Sequence, residues 1–273
     1  SLLLLTRFLP DRSGAPEVPP PWRESDREIP ADLLTYPGEI RDAGEEDRAA
    51  ETEPLNDFFS VHPEASEFIV SHGKGFLVPT FPRVAKAVHR IRRATRLRPS
   101  ARRPDHGPDE LKQMLVAEAD RIGLSRIGVV PADDRYTFET TDAEQLPTVI
   151  VCLLEQDWEL TQKIPSDEAE QAAFFGYAEG MTRTAMLADY QKGLGYRAAP
   201  QGLTGDGVAI HSGVEAGLGL LGINGPLRTP EAGSRCRILM LTTDAVISRD
   251  HPDDYGLHKV CDECQACVRN CPV

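Results

Sequence analysis

The chain has 273 residues, room for one large or two ordinary domains, and 40% of them are hydrophobic, enough to bury a core. Its net charge of −13 argues against general affinity for nucleic acid or anionic lipid. No apolar run approaches the roughly 20 residues of a membrane span, and Leu2 to Leu5 is too short for a signal-peptide core.

Residues 1 to about 60 lack periodicity. Pro16, Pro19, Pro20 and Pro21 break any helix, and the acidic run at Glu45, Glu46 and Asp47 is followed by more carboxylates. This composition predicts an extended arm. Apolar residues return between Asn56 and Pro82, in Phe58-Phe59 and in Gly75-Phe76-Leu77-Val78. His62 and His72 are candidate metal ligands, but no third ligand accompanies them, so they read as surface groups. Residues 83–103 are basic (Lys86, Arg90, Arg92, Arg93, Arg96, Arg98, Arg102, Arg103), with Val84, Ala87, Val88, Ile91 and Ala94 on one helical face. A phosphate or nucleic-acid patch is one reading. No aromatic residues interleave to stack on bases, so a solvated helix face balanced by the acidic arm is preferred.

A compact domain is expected from Asp109. Leu111, Met114, Leu115, Ala119 and Ile122 suit an amphipathic helix, with Gly123 as its cap. Residues 126–130 read as a strand and residues 148–154, Thr-Val-Ile-Val-Cys-Leu-Leu, as a buried one. A long helix interrupted at Gly176 and Gly180 is expected over about 166–194. A strand over 195–200, a loop and short helix over 207–219, and a buried strand over 237–243 follow. Helix and strand runs alternate, which predicts an α+β or α/β sheet covered by helices.

Four of the six cysteines close the chain as Cys261, Cys264, Cys267 and Cys271, spaced C-x2-C-x2-C-x3-C and followed by Pro272. This is the bacterial ferredoxin run, in which three cysteines hold one [4Fe–4S] cluster and the fourth ligates a second. Zinc knuckles use two separated C-x2-C pairs, and disulfides are rare in reduced proteins, so the iron–sulfur reading leads. Ligands for the second cluster are then expected beyond Val273, and the chain, which starts at Ser1, is expected to be a fragment at one or both ends. Cys152 and Cys236 lie in apolar segments. They are either the missing fourth ligand or, as preferred, buried core thiols.

Two segments ahead of the cysteines carry a family resemblance. One runs from Tyr177-Ala-Glu-Gly-Met-Thr-Arg to Gly195-Tyr-Arg-Ala198. The other is Glu215-Ala-Gly-Leu-Gly-Leu-Leu-Gly-Ile-Asn-Gly-Pro-Leu-Arg-Thr-Pro-Glu-Ala-Gly-Ser-Arg-Cys-Arg237. With the buried strand and cysteine run behind them, they resemble the catalytic core of the corrinoid-dependent reductive dehalogenases, over about residues 123–273. The resemblance implies a nitroreductase-like α+β domain that binds cobalamin, followed by the start of a ferredoxin-like region, with two [4Fe–4S] clusters in the complete protein. It implies that Tyr177 donates a proton to the dehalogenated carbon, with Arg235 or Arg237 as its basic partner. A nearby guanidinium stabilises phenolate and so favours proton donation. Gly217, Gly219, Gly222 and Gly225 would let backbone approach a flat ligand, with Thr204 and Asn224 (and Thr229) bonding corrin amides or substrate. The sequence departs from the family at Ile223, where an arginine is usual, at Pro226, where leucine is common, and at Gly202-Leu203-Thr204, which lacks the usual asparagine. These departures bear on substrate class rather than fold.

The resulting domain expectation is a peripheral region over 1–108, a corrinoid-binding catalytic domain over 109–250 and a truncated iron–sulfur domain over 251–273. The expected reaction is reductive dehalogenation of a small organohalide, fed by an external electron donor. Epoxyqueuosine reductase is the alternative corrinoid iron–sulfur enzyme. It would need a basic groove for transfer RNA and a catalytic Asp in a different helix motif. A plain electron-transfer protein ranks last, because a carrier needs far less chain. No nucleic-acid partner and no transmembrane segment are expected, and a cytoplasmic location is favoured unless an export signal precedes Ser1.

Overall fold

The computed structural model describes residues 63–137, 146–163, 166–202 and 207–269, with side chains from residue 78. The chain divides into two units, Ser71–Leu257 and the pair of segments Ser1–Val70 and His258–Val273. The arm expected over residues 1–60 lies outside the described residues, as do Thr204 and Cys271.

The larger unit is built on a four-stranded, wholly antiparallel sheet. Its strands are β1 (Arg126–Pro131), β2 (Thr148–Glu155), β6 (Cys236–Thr243) and β3 (Ala198–Pro200), in that spatial order. Pairing sets Val129 opposite Ile150 and Ile150 opposite Leu241. Because side chains alternate along a strand, one face carries Ile127, Val129, Ile150, Cys152, Leu239 and Leu241, and the other carries Val130, Val151, Leu153 and Cys236. Both faces are covered, which is why β2 reads as a continuous apolar run rather than an alternating one.

Three helices cover the first face. α1 (Pro63–Arg96) and α2 (Pro108–Arg121) pack beside α4 (Asp167–Gly193), which follows a short helix, α3 (Trp158–Thr161). Ala87, Ile91 and Ala94 of the basic helix enter the same core as Leu111, Leu115, Met181 and Leu187. Each fully buried Leu or Ile here contributes roughly 1.5–3 kcal/mol. The helical face expected within residues 83–103 belongs to a helix that ends at Arg96 but begins earlier and runs through Pro79 and Pro82. Buried Thr80 extends the apolar seam of Ala87, Ile91 and Ala94 across them. Its exposed arginines include Arg92, Arg93 and Arg96, while Arg90 pairs with Asp189 on α4 at 2.6 Å.

α4 begins at Ser166, whose hydroxyl accepts from the Ala169 amide at 3.2 Å, and carries Asp167, Glu168 and Glu170 in its first turn. It passes without interruption through Gly176 and Gly180. A Cβ at Gly180 would stand 2.5 Å from the Leu239 side chain, and one at Gly176 would stand 3.0 Å from Arg237 Cγ. These glycines let a helix lie close on the sheet, so what reads in sequence as a break is a contact.

The second face is covered by α5 (Ala209–Glu215) and by a hairpin of β4 (Leu220–Leu221) and β5 (Leu227–Arg228). Ala216, Leu218 and Leu227 close on Val151 and Leu153 there. In the smaller unit, α6 (Leu257–Cys264) and α7 (Ala266–Arg269) carry the described cysteines of the terminal run.

Candidate functional site

Tyr177 sits half-buried in the third turn of α4, and Arg237 is the second residue of β6. Strand alternation sends the Arg237 side chain to the α4 face, where its guanidinium lies over the Tyr177 ring, 4.4 Å from the centroid. Arg237 Nε also donates to the Ala173 carbonyl at 3.4 Å. The Gln156 amide, turned with its oxygen toward Arg237, accepts from Nε and Nη2 at 2.7 Å each.

Arg235, two residues earlier, is committed elsewhere. It pairs with Glu155, donates to the Gln156 carbonyl and lies over Trp158 at 4.9 Å. Its own carbonyl accepts from the Gln156 amide at 3.1 Å. Of the two arginines that sequence leaves level, the structure brings Arg237 to Tyr177 and Arg235 to the backbone beside it. Gln156, the first residue after β2, was not singled out by the sequence reading, because nothing in a loop residue's type announces such a contact.

The glycine-rich block lies on the opposite face of the sheet and forms the β4–β5 hairpin. Gly217 has φ +62, and a Cβ there would stand 2.3 Å from the His251 carbonyl oxygen. A Cβ on Gly219 would stand equally close to the Arg228 carbonyl, and one on Gly222 would meet Arg228 and Asn224. These three glycines are needed for the chain to close on itself. Gly225, at φ +88, has open space where a Cβ would be, and the tip residues Ile223, Asn224 and Pro226 are exposed. Asn224 accepts from Arg228 at 3.1 Å. Thr229 is buried in the following turn, where its hydroxyl accepts from the Ala232 amide at 3.1 Å. Tyr255 fixes the start of the block by donating to the Gly217 carbonyl at 2.6 Å.

Beside α5 a cavity of about 310 Å³ opens on an apolar floor of Val130, Val149 and Met240. Tyr136 and His211 stack near its rim with centroids 5.1 Å apart, and Glu215 and Ser212 supply polar lining. Such a volume suits a small organic molecule and is too small for a corrinoid with its side chains.

Cys261 and Cys264 stand on α6 and Cys267 on α7, all half-buried and outside any disulfide. Between them Gln265 has φ 51, the one non-glycine positive φ among the described residues, and it turns the chain between the second and third thiols. As donors, three free thiols suit an iron–sulfur cluster. They are not gathered, however: among the described residues no three His, Cys, Asp or Glu groups stand close enough to hold a metal ion. Cys152 is fully buried against α4, and burial pushes its thiol up to about 12. Cys236 is also raised by burial, opposed by Arg237 and Arg235. Both are core thiols in this fold. Among the described residues no helix is long and apolar enough to cross a membrane.

No protein-family model matches the chain. Curated relatives do. Tetrachloroethene reductive dehalogenase of Desulfitobacterium hafniense is 34% identical over 125 residues, covering 46% of this chain and 22% of the relative. The Sulfurospirillum multivorans enzyme of the same name is 30% identical over 189 residues, covering 58% of this chain and 38% of the relative. The chain thus spans well under half the length of the relatives it matches. A solved reductive dehalogenase, described for B12-dependent dehalogenation, superposes with a TM-score of 0.62 over 71% of this chain and 29% of its own, at 23% identity. Over these segments the chain is similar in sequence to the tetrachloroethene reductive dehalogenases, and its fold is similar to that of the solved reductive dehalogenase.

Proposed function

We propose that this chain supplies part of the catalytic core of a cobalamin-dependent reductive dehalogenase, which replaces a halogen on a small organic molecule by hydrogen. The supporting observation is the contact of Arg237 with Tyr177, the residue that stands where the family's proton donor is expected. Two electrons from an external donor and one proton are consumed, the carbon–halogen bond breaks, halide leaves and a carbon–hydrogen bond forms. In this reading the Tyr177 hydroxyl delivers the proton to carbon, and the positive charge of Arg237 over the ring favours the phenolate that remains. Arg235 serves the fold around that pair.

A bound corrinoid would supply reducing power at the carbon–halogen bond, and [4Fe–4S] clusters would supply its electrons. Cys261, Cys264 and Cys267 would hold one cluster and Cys271 would serve a second. The cavity beside α5, at about 310 Å³, does not admit a corrinoid. The proposed corrinoid contacts remain Thr204, Gly217, Gly219, Gly222, Asn224 and Gly225, of which Asn224 and Gly225 are exposed. Residues 109–250 then form the corrinoid-binding part, and residues 251–273 begin the cluster region.

Tyr177→Phe tests the reading in the complete protein. Corrinoid and iron content should match wild type, while halide release from tetrachloroethene and a panel of halogenated phenols should fall by about 10²–10⁴-fold, the scale for removing a general acid. Full turnover in the variant would return Tyr177 to a packing role.

A further inference from the structure

The Arg237 guanidinium is a long lever over a half-buried ring, and a cation–π contact alone does not fix its orientation. The residue that does so is Gln156. Its side-chain oxygen takes two of the guanidinium's hydrogen bonds, at 2.7 Å each, on the edge that the Ala173 carbonyl meets at 3.4 Å. The Gln156 backbone is itself held from both sides by Arg235, whose carbonyl accepts from the Gln156 amide at 3.1 Å and whose guanidinium donates to the Gln156 carbonyl. Room for the arrangement comes from Gly176. A Cβ there would stand 3.0 Å from Arg237 Cγ and 3.5 Å from Gln156 Cγ.

We propose that Gln156 is a positioning residue for the Tyr177–Arg237 pair. Arg235 locks the Gln156 backbone, Gln156 locks the plane of the Arg237 guanidinium, and the guanidinium is thereby kept over the Tyr177 ring. Fixing a catalytic group to within an ångström is worth as much as about 10²-fold in rate, so a residue that touches no substrate still controls turnover. The proposal rests on the proton-donor reading of Tyr177 for its effect on rate, but not for the contact itself.

The experiment uses the complete, cluster- and corrinoid-loaded protein with isotopically labelled arginine. Gln156→Leu keeps the size and removes the acceptor, Gln156→Glu keeps the acceptor, and Gly176→Ala crowds both partners from the helix side. The ring current of Tyr177 should displace the side-chain signals of Arg237 in wild type. That displacement should vanish in Gln156→Leu, shrink in Gly176→Ala and persist in Gln156→Glu. Halide release from tetrachloroethene should lose roughly 10- to 100-fold in kcat in Gln156→Leu, with KM nearly unchanged. An unmoved Arg237 signal in Gln156→Leu overturns the proposal, as does unchanged kcat in that variant when Arg237→Gln is impaired. If the Arg237 signal moves while Gln156→Leu and Tyr177→Phe both keep full turnover, the contact stands and the proton-donor reading is what fails.

Discussion

Cys152 shows how burial assigns roles to residues of one type. Its thiol has no exposure on the α4 face of β2, and loss of solvent pushes its pKa up to about 12. At pH 8 roughly one Cys152 in ten thousand is then thiolate, the form that attacks reagents and binds metal. Cys236 is shifted the same way by burial, although Arg237 and Arg235 pull it back. Cys261, Cys264 and Cys267 are half-buried and free. In cluster-free native protein, brief iodoacetamide treatment at pH 8 should therefore label these three, while Cys152 and Cys236 are labelled only after unfolding. Peptide mass mapping reads the result, and native labelling of Cys152 would contradict the burial argument. Sequence anticipates this division for Cys152, which sits inside an apolar run, and for Cys236, which stands at the head of β6 before its apolar residues Ile238 to Leu241. Sequence leaves Arg235 and Arg237 level because they flank Cys236 one residue to each side, and only the formed sheet separates them, with Arg237 in β6 and Arg235 just before it. Gln156 is invisible in the sequence for a related reason: its contact is made across 81 positions, with α3, α4, α5 and strands β3, β4 and β5 between.

Among the elements, α4 carries most of the site and was the one whose character sequence misjudged. Strands β1, β2 and β6 were legible because each is a short apolar run bounded by polar residues or turns. By propensity Gly176 and Gly180 interrupt a helix, whereas tertiary contact with Arg237 and Leu239 overrides that preference. The β4–β5 hairpin was missed because two-residue strands have no periodicity to detect. At its far end α4 also holds α1: Lys192, 4% exposed, donates to the Ala94 carbonyl and, at 3.4 Å, to that of Thr95, carbonyls in the last turn of α1. Lys192→Met should cost about 1.5–3 kcal/mol at pH 7 in urea unfolding, the range for hydrogen bonds from a charged group. Burial also lowers the lysine pKa from 10.5, with Asp189 opposing. Between that lowered value and 10.5 the unfolded chain binds more protons than the folded one, so this group makes stability rise with pH across that window. The methionine variant lacks the rise, and the gap between the two proteins should widen from pH 7 to pH 10. A gap that narrows would mean that the ammonium, not the amine, is the favoured form in the fold.

At the scale of the whole molecule, the chain holds a sheet-and-helix unit and a second unit that carries the cysteine run. It spans 22% and 38% of the lengths of the two relatives compared, so ligands for a second cluster would be expected from the rest of the protein. Within α6 and α7 the spacing of Cys261, Cys264 and Cys267 is the feature behind the cluster proposal. The complete protein, reconstituted with iron and sulfide under anoxic conditions, should bind two clusters. The triple Cys261→Ser, Cys264→Ser, Cys267→Ser variant should lose about four iron atoms per chain, and Cys271→Ser should disturb the other cluster instead. Iron and sulfide analysis, with electron paramagnetic resonance of the reduced protein, separates the two losses. The 273-residue chain alone should take up iron and sulfide but release them readily to a chelator, because a three-thiolate site leaves one iron open. Iron content in the triple variant equal to wild type would remove this run as a cluster site, and tight chelator-resistant binding by the isolated chain would show that a fourth ligand already lies within it.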